Sequence, residues 1–299
     1  HEIFAGPSNR SRVLYVVLRL KILLTNDDGI DAPGLWAAVR SLRQVGEVCV
    51  VAPLHEQSGV GAALTLHAPV EVREESIDPK LAGEDPGLFD VIAYSVDGTP
   101  ADSCVVALEK VIGKVDLVVS GINAGSNTGW DVIVSGTVGA ALQGYFRGYN
   151  TIAISVGGVR SPIFDGAARL VGLMAKRMDE RRDELAAQDH FLLNVNVPNV
   201  NLDKIAGLKV TTMGGRSYGE SVTERPGGPN DGADDKKRYQ ISRNVPMSTN
   251  VAEGSDIWAL KNNHVSITPL HIALGHLERM PDVETLVAGL SDQLLAKEA

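Results

Sequence analysis

Several things are scarce in this sequence, and each scarcity removes a class of protein. Only two cysteines occur in 299 residues, Cys49 in "EVCVVAP" and Cys104 in "DSCVVAL". They have neither CxxC spacing nor the density of a disulfide framework, so both read as small buried hydrophobes and favour a reducing, cytoplasmic setting. Basic charge is short as well: 28 Lys and Arg stand against 37 Asp and Glu, a formal net charge of −9. That balance argues against a surface for a nucleic-acid polymer, because a phosphate backbone needs clustered cations. The most apolar stretch near the start, "SRVLYVVLRLKILL", is interrupted by Arg19 and Lys21 and carries no small-residue cleavage site, so neither a membrane span nor a signal peptide is expected. No GxGxxG follows the first expected strand, which argues against a dinucleotide cofactor. HExxH is absent, and His55, His67, His190, His264, His271 and His276 are too scattered for a zinc site.

What is present is a rhythm. From about Leu18 to Val156, short β-branched runs alternate with helical segments, the pattern of parallel strands joined by crossover helices. Strands are predicted at 20–25, 47–52, 91–96, 115–119 and 151–156. Helices are predicted where "APGLWAAVRSLRQVG" has Pro33 in its first turn and Gly46 as a stop, over "GTPADSCVVALEKVIG" from Thr99, and over "SGTVGAALQGYFRG" from Ser135. After Val156 a long helix is expected near 164–187, then strands at 191–198 and 207–213. Residues 214–237 are poorly patterned and read as a long loop or arm. Segments 238–245 and 255–260 read as a hairpin, 263–270 as a strand, and 281–297 as a helix with Val283, Leu286, Val287, Leu290, Leu294 and Leu295 on one face. The expected domains are an extension outside the fold (1–17), an α/β core (18–213), an arm (214–262), and a closing core strand with its helix (263–299).

In an open parallel sheet, ligands sit outside the carboxyl ends of the strands. Here those ends carry "TNDDG", "APLHEQSG", "VDGTP", "SGINAGSNTG" and "SVGG". Adjacent carboxylates repel, so the Asp27–Asp28 pair at the first strand end is a place for a cation. With Ser58 and Asn123 the donors are all oxygen, which suits Mg²⁺ or Mn²⁺ and suits zinc poorly. Taken singly, each of these residues reads more readily as a cap or turn residue; their shared position at the strand ends carries the argument. Ser135, Gly136 and Thr137 open a helix, bringing free N–H groups and two hydroxyls to one point, an anion site, and Asn127 adds a side-chain donor. Asp102, in the first turn of its helix, reads as a stabiliser of the helix dipole.

The ordered motifs "LLTNDDGIDAPG", "APLHEQSGVGAALT", "DGTPAD", "VVSGINAGSNTGWDVIVSGTVGAALQG", "LNVNVP" and "VSITPL" together resemble the SurE family of survival-protein 5′/3′-nucleotidases, over about residues 20–270. The resemblance implies a Rossmann-like three-layer α/β core with a mostly parallel sheet, and a C-terminal hairpin arm and helix used in oligomerisation. It implies one divalent metal ion per subunit on Asp27, Asp28, Ser58 and Asn123, and substrate phosphate on Asn127, Ser135, Gly136 and Thr137. Three positions depart from the family pattern: Val134 where Tyr is common, Gln143 where an acid is common, and Cys104 one residue later than usual.

The expected chemistry is metal-assisted hydrolysis of nucleoside 5′- and 3′-monophosphates, with Asp27 the first candidate to deprotonate the attacking water. The expected partners are the substrate and other copies of the chain, as dimer or tetramer. The alternatives are an exopolyphosphatase or general phosphatase on the same residues, and a catalytically silent nucleotide-binding assembly protein.

Overall fold

The computed structural model describes residues 19–78, 85–215, 218–225, 238–246 and 251–295, so the expected extension at 1–17 lies outside the described residues. The chain divides into two units, one ending at Pro269 and the other running from Leu270 to Ala299. The strands are β1 (Leu20–Thr25), β2 (Gly46–Pro53), β3 (Glu71–Glu74), β4 (Ile92–Asp97), β5 (Leu117–Ala124), β6 (Asn150–Val156), β7 (Leu192–Val197), β8 (Gly207–Val210), β9 (Tyr218–Arg225), β10 (Arg238–Pro246) and β11 (His264–Leu270). The helices of the first unit are α1 (Pro33–Leu42), α2 (Pro100–Val106), α3 (Gly136–Phe146), α4 (Asp165–Glu180), α5 (Arg182–Ala186) and α6 (Asp256–Lys261).

Nine strands form one sheet in the order β3-β4-β2-β1-β5-β6-β7-β11-β8. The pairs β1–β2, β1–β5, β2–β4, β5–β6, β6–β7 and β11–β8 are parallel, and β3–β4 is antiparallel. The expected α/β architecture with a mostly parallel sheet is therefore what the chain forms. Its core follows from β1, whose residues alternate between two buried layers. Ile22 and Leu24 pack with Leu35, Trp36 and Val39 of α1 and Val171 and Ala175 of α4. Leu23 packs on the other face with Cys104 of α2 and Ala140 of α3. A parallel strand covered on both faces has no polar side, which is why β1 reads as an unbroken apolar run. Chain order reverses at β1, with β2 on one side and β5 on the other, so a crevice opens at the carboxyl ends of these strands.

Several local expectations are corrected. Residues 255–260 are not a strand: Ser255 caps α6, its Oγ accepting from Trp258 N at 3.3 Å, and the Ser-Asp start is a helix N-terminus. The hairpin partner of β10 is β9, inside the stretch that reads as unpatterned. The helix near 164–187 is two helices, α4 and α5, divided at Arg181. Strand β3 is an addition, a short polar edge strand without an apolar alternation to announce it.

In the second unit the expected terminal helix is likewise two, α7 (Met280–Val287) and α8 (Leu290–Leu295), because Ala288 takes an extended conformation at ψ 127°. Among the described residues no helix is long and apolar enough to cross a membrane.

Candidate active site

The turn after β1 is stitched to the strand beside it. Asn26 Nδ2 donates to Gly29 O at 2.8 Å, Ile30 N to Pro53 O at 2.8 Å, and Gln57 N to Asp27 O at 2.7 Å. These bonds fix the backbone of the turn that carries the two carboxylates. Asp27 is buried, and its Oδ1 accepts from Thr137 Oγ1 at 2.5 Å across 110 residues of sequence. Burial, with the repulsion of Asp28 added, pushes the Asp27 carboxyl up to about 6, against the lowering effect of the Thr137 hydrogen bonds. Asp28 Oδ2 accepts from Ala124 N at 3.0 Å; burial and the nearby Glu56 raise its pKa too, opposed by that bond.

The other two expected ligands border the same carboxylates. Ser58 Oγ donates to Glu56 Oε1 at 2.8 Å, and Glu56 is the residue whose charge Asp28 feels. Asn123 precedes the amide that binds Asp28, and its Nδ2 donates to Gly125 O at 2.6 Å, which turns the amide nitrogen away and leaves Oδ1 as the available atom. The set is rich in oxygen, crowded with negative charge and short of donors, and that chemistry fits a hard divalent cation. Three further oxygens near these strand ends, Thr25 Oγ1, Asn26 Oδ1 and Ser120 Oγ, are buried with no hydrogen-bond partner among the described residues. Among the described residues no three His, Cys, Asp or Glu side chains gather as a metal cluster; the expected set has two carboxylates and two neutral side chains.

The residues expected to take phosphate are joined to the carboxylates. Ser135 caps α3, its Oγ accepting from Val138 N at 3.1 Å. Thr137 sits in the first turn, donates to Asp27, and accepts from Asn127 Nδ2 at 3.4 Å. Gly136 is the point of closest approach: a Cβ there would lie 2.8 Å from Asp27 Cβ and 2.9 Å from its Oδ2, so only glycine lets the helix end meet the carboxylate. Asn127, Thr137 and Asp27 thus form one hydrogen-bonded chain between the α3 N-terminus and the turn after β1. Of the three departures from the family pattern, Gln143 accepts from Arg147 at 3.1 Å, Val134 O accepts from Gly61 N at 3.0 Å, and Cys104 is buried, its thiol pushed up to about 12. None of these three contacts the carboxylate pair through a described bond.

Sequence reasoning missed what holds Asn127. Its N–H donates to Asn196 Oδ1 at 2.8 Å, its carbonyl accepts from Asn194 Nδ2 at 2.7 Å and Asn196 Nδ2 at 3.1 Å, and its Nδ2 donates to Ser155 Oγ at 2.9 Å. The signal was in "LLNVNV": two asparagines two residues apart face one side of a strand that is otherwise apolar and buried. A separate cavity of about 240 Å³, lined by Leu20, Asp116, Tyr149, Asn150, Arg182 and His190, lies at the amino ends of β1, β5 and β6, and none of its residues belongs to this set.

The chain is similar to known proteins over most of its length. The family described as "Survival protein SurE" matches residues 22–220. The 5′-nucleotidase SurE of Dehalococcoides mccartyi strain CBDB1 is 41% identical over 260 residues, covering 84% of this chain and 89% of its own. The 5′-nucleotidase SurE of Geobacter metallireducens is 37% identical over 274 residues, covering 89% and 97%. The crystal structure of the SurE protein from Aquifex aeolicus aligns with a TM-score of 0.70 at 35% identity over 89% of this chain and 99% of that one. Since the matched segment runs from β1 through every loop of the candidate site, and the likeness extends over most of each chain compared, this chain belongs to the SurE family.

Proposed function

We propose that this chain is a phosphomonoesterase that hydrolyses nucleoside 5′-monophosphates, and 3′-monophosphates, to nucleoside and phosphate. The observation that carries the proposal is the Asp27–Thr137 bond, which joins the carboxylate pair to the N-terminal turn of α3. The names of the relatives point to the same substrate class.

In this reading Asp27, Asp28, Ser58 and Asn123 hold one Mg²⁺ or Mn²⁺ per subunit. When bound, the cation neutralises phosphate oxygens and acidifies a water. Asn127 and Ser135 to Thr137 bind the phosphate, with Gly136 keeping the backbone close and the first-turn amides of α3 taking charge that develops on its equatorial oxygens. Thr137 stands between the two functions, since its hydroxyl touches Asp27 and its amide belongs to the helix end. Asp27 is the carboxylate assigned to take the proton of the attacking water.

The same proposal has the chain self-associate as a dimer or tetramer. Supporting this, Val222, Tyr239 and Ile241 lie exposed on the β9–β10 hairpin, as do Leu286, Leu294 and Leu295 on α7 and α8. A core of 18–213, an arm of 214–262 and a closing segment of 263–299 belong to it too. A cytoplasmic setting fits two cysteines that stay as free, buried thiols.

The test is phosphate release from 5′-AMP, 3′-AMP, 5′-GMP and short polyphosphate, with and without EDTA, then with Mn²⁺ or Mg²⁺ restored. Release from the mononucleotides that EDTA stops and metal restores is expected. Release from polyphosphate alone would move the assignment to an exopolyphosphatase, and no release from any substrate would leave a binding protein.

A further inference from the structure

Asp256 lies far from the carboxylate pair in sequence, and no accessible surface is left on it. It opens α6, yet it serves three segments. Its Oδ2 accepts from Gly129 N at 2.8 Å, and its Oδ1 accepts from Gly214 N at 2.8 Å and from Ile257 N at 2.8 Å. Its own N–H donates to Thr212 O at 2.9 Å. Beside it, Trp130 N donates to Gly215 O at 3.2 Å. Gly129 and Trp130 belong to the loop between Asn127 and Ser135, while Gly214 and Gly215 come shortly before the β9–β10 hairpin in the sequence.

That loop has two anchors. At Asn127 it is bound to Asn194 and Asn196 of β7, and at Gly129–Trp130 to Asp256 and Gly215. Between the second anchor and Ser135 runs only a short 3-10 segment, Gly129–Val134, so the second anchor sets how Ser135 and α3 approach Asn127. The fit is tight on the arm side. A Cβ on Gly214 would lie 2.8 Å from Asp256 Oδ1 and 2.8 Å from Ile257 Cδ1.

We propose that Asp256 is a positioning residue: it clamps the phosphate loop to the root of the β9–β10 arm, so that phosphate affinity depends on how that root is seated. The proposal rests on the phosphate-binding reading given above. An Asp→Asn change keeps the size but turns one acceptor into an NH₂ facing an N–H, so one of the two clamped segments must move.

The experiment compares the full chain with Asp256→Asn and, separately, Gly214→Ala. It reads KM and kcat for 5′-AMP with Mn²⁺, calorimetric affinity for inorganic phosphate, and amide exchange over residues 125–135. In both variants KM and the phosphate Kd are expected to rise about tenfold or more, with kcat little changed and amide exchange of the loop faster. Wild-type KM and phosphate affinity in folded variants would overturn the proposal, whatever happens to thermal stability. If Asp256→Asn does not fold, Gly214→Ala carries the test alone. A wild-type chain that binds phosphate without hydrolysing any nucleotide, with binding weakened in the variants, would remove the catalytic reading and leave this clamp standing. Binding of no phosphate at all by the wild type would remove both.

Discussion

Asp102, in the first turn of α2, and Asp27, packed against the start of α3, are both buried, and their proton affinities move in opposite directions. Burial disfavours the charge on Asp102, yet its carboxylate accepts from Thr65 N at 2.9 Å, Thr65 Oγ1 at 2.6 Å and Thr99 N at 2.9 Å, and its pKa falls below the ordinary value. Asp27 is bonded by Thr137 as well, but it is more deeply enclosed, sits beside Asp28, and is pushed up to about 6. The first carboxylate has what it needs from the protein; the second is short of positive charge. A satisfied aspartate holds the fold together, closing a capping box on α2 and tethering Thr65. In the proposed reading, the other belongs to the place where a cation and a phosphate would be received.

The comparison can be broken most severely at the carboxylate pair. Asp28→Asn is expected to reduce metal-dependent phosphate release on the order of a thousandfold, measured with saturating Mn²⁺; retention of near wild-type turnover would disprove the metal assignment. Thr137→Val removes the hydroxyl between Asp27 and Asn127 and is expected to cost about a hundredfold in kcat/KM for 5′-AMP, with the larger share in kcat if it stabilises the transition state.

Stability sharpens the contrast because the signs differ. The folded pKa of Asp27 is raised, so the metal-free chain favours the protonated carboxyl and loses stability as pH rises from the ordinary carboxylate range through about 6. A divalent cation at a hundredfold excess over its Kd is expected to add about 2.7 kcal/mol of stability at pH 7, and little at pH 4, where protons compete for the site. Denaturation midpoints with and without Mg²⁺ across this range check it, and a cation effect independent of pH would show that the carboxylates are not the ligands. The smallest effect belongs to Asp102. Asp102→Asn is expected to cost about 1 kcal/mol at neutral pH, with turnover retained. Because its folded pKa is lowered, the deficit should shrink as pH falls through that value; a deficit that persists in acid would mean the charge is not what Thr65 and Thr99 recognise.

Much of this was legible along the chain, for reasons of local physics. The apolar run of β1 announced a strand buried on both faces, Pro33 and Thr99–Pro100 announced helix starts, and the polar residues after each strand marked the edge where a site belongs. Such features depend on residues within one element; the sheet order that gathers them does not. Less legible were β9, α6 and the divided helices, where strand-like or helical stretches depend on partners elsewhere: β9 is defined by its pairing with β10, and α6 by a cap at Ser255 set against Thr212.

The sequence by itself determined that two carboxylates and a helix start with hydroxyls stand at the ends of parallel strands. Only the tertiary structure decided that Thr137 reaches Asp27, that Asn194 and Asn196 hold Asn127, and that Asp256 grips the same loop from the root of the arm. Those bonds join residues far apart in the chain, and hydrogen bonds form only within about 3 Å. The types of residue needed can be read in order along the chain, but the distances between them exist only after the sheet has closed around them.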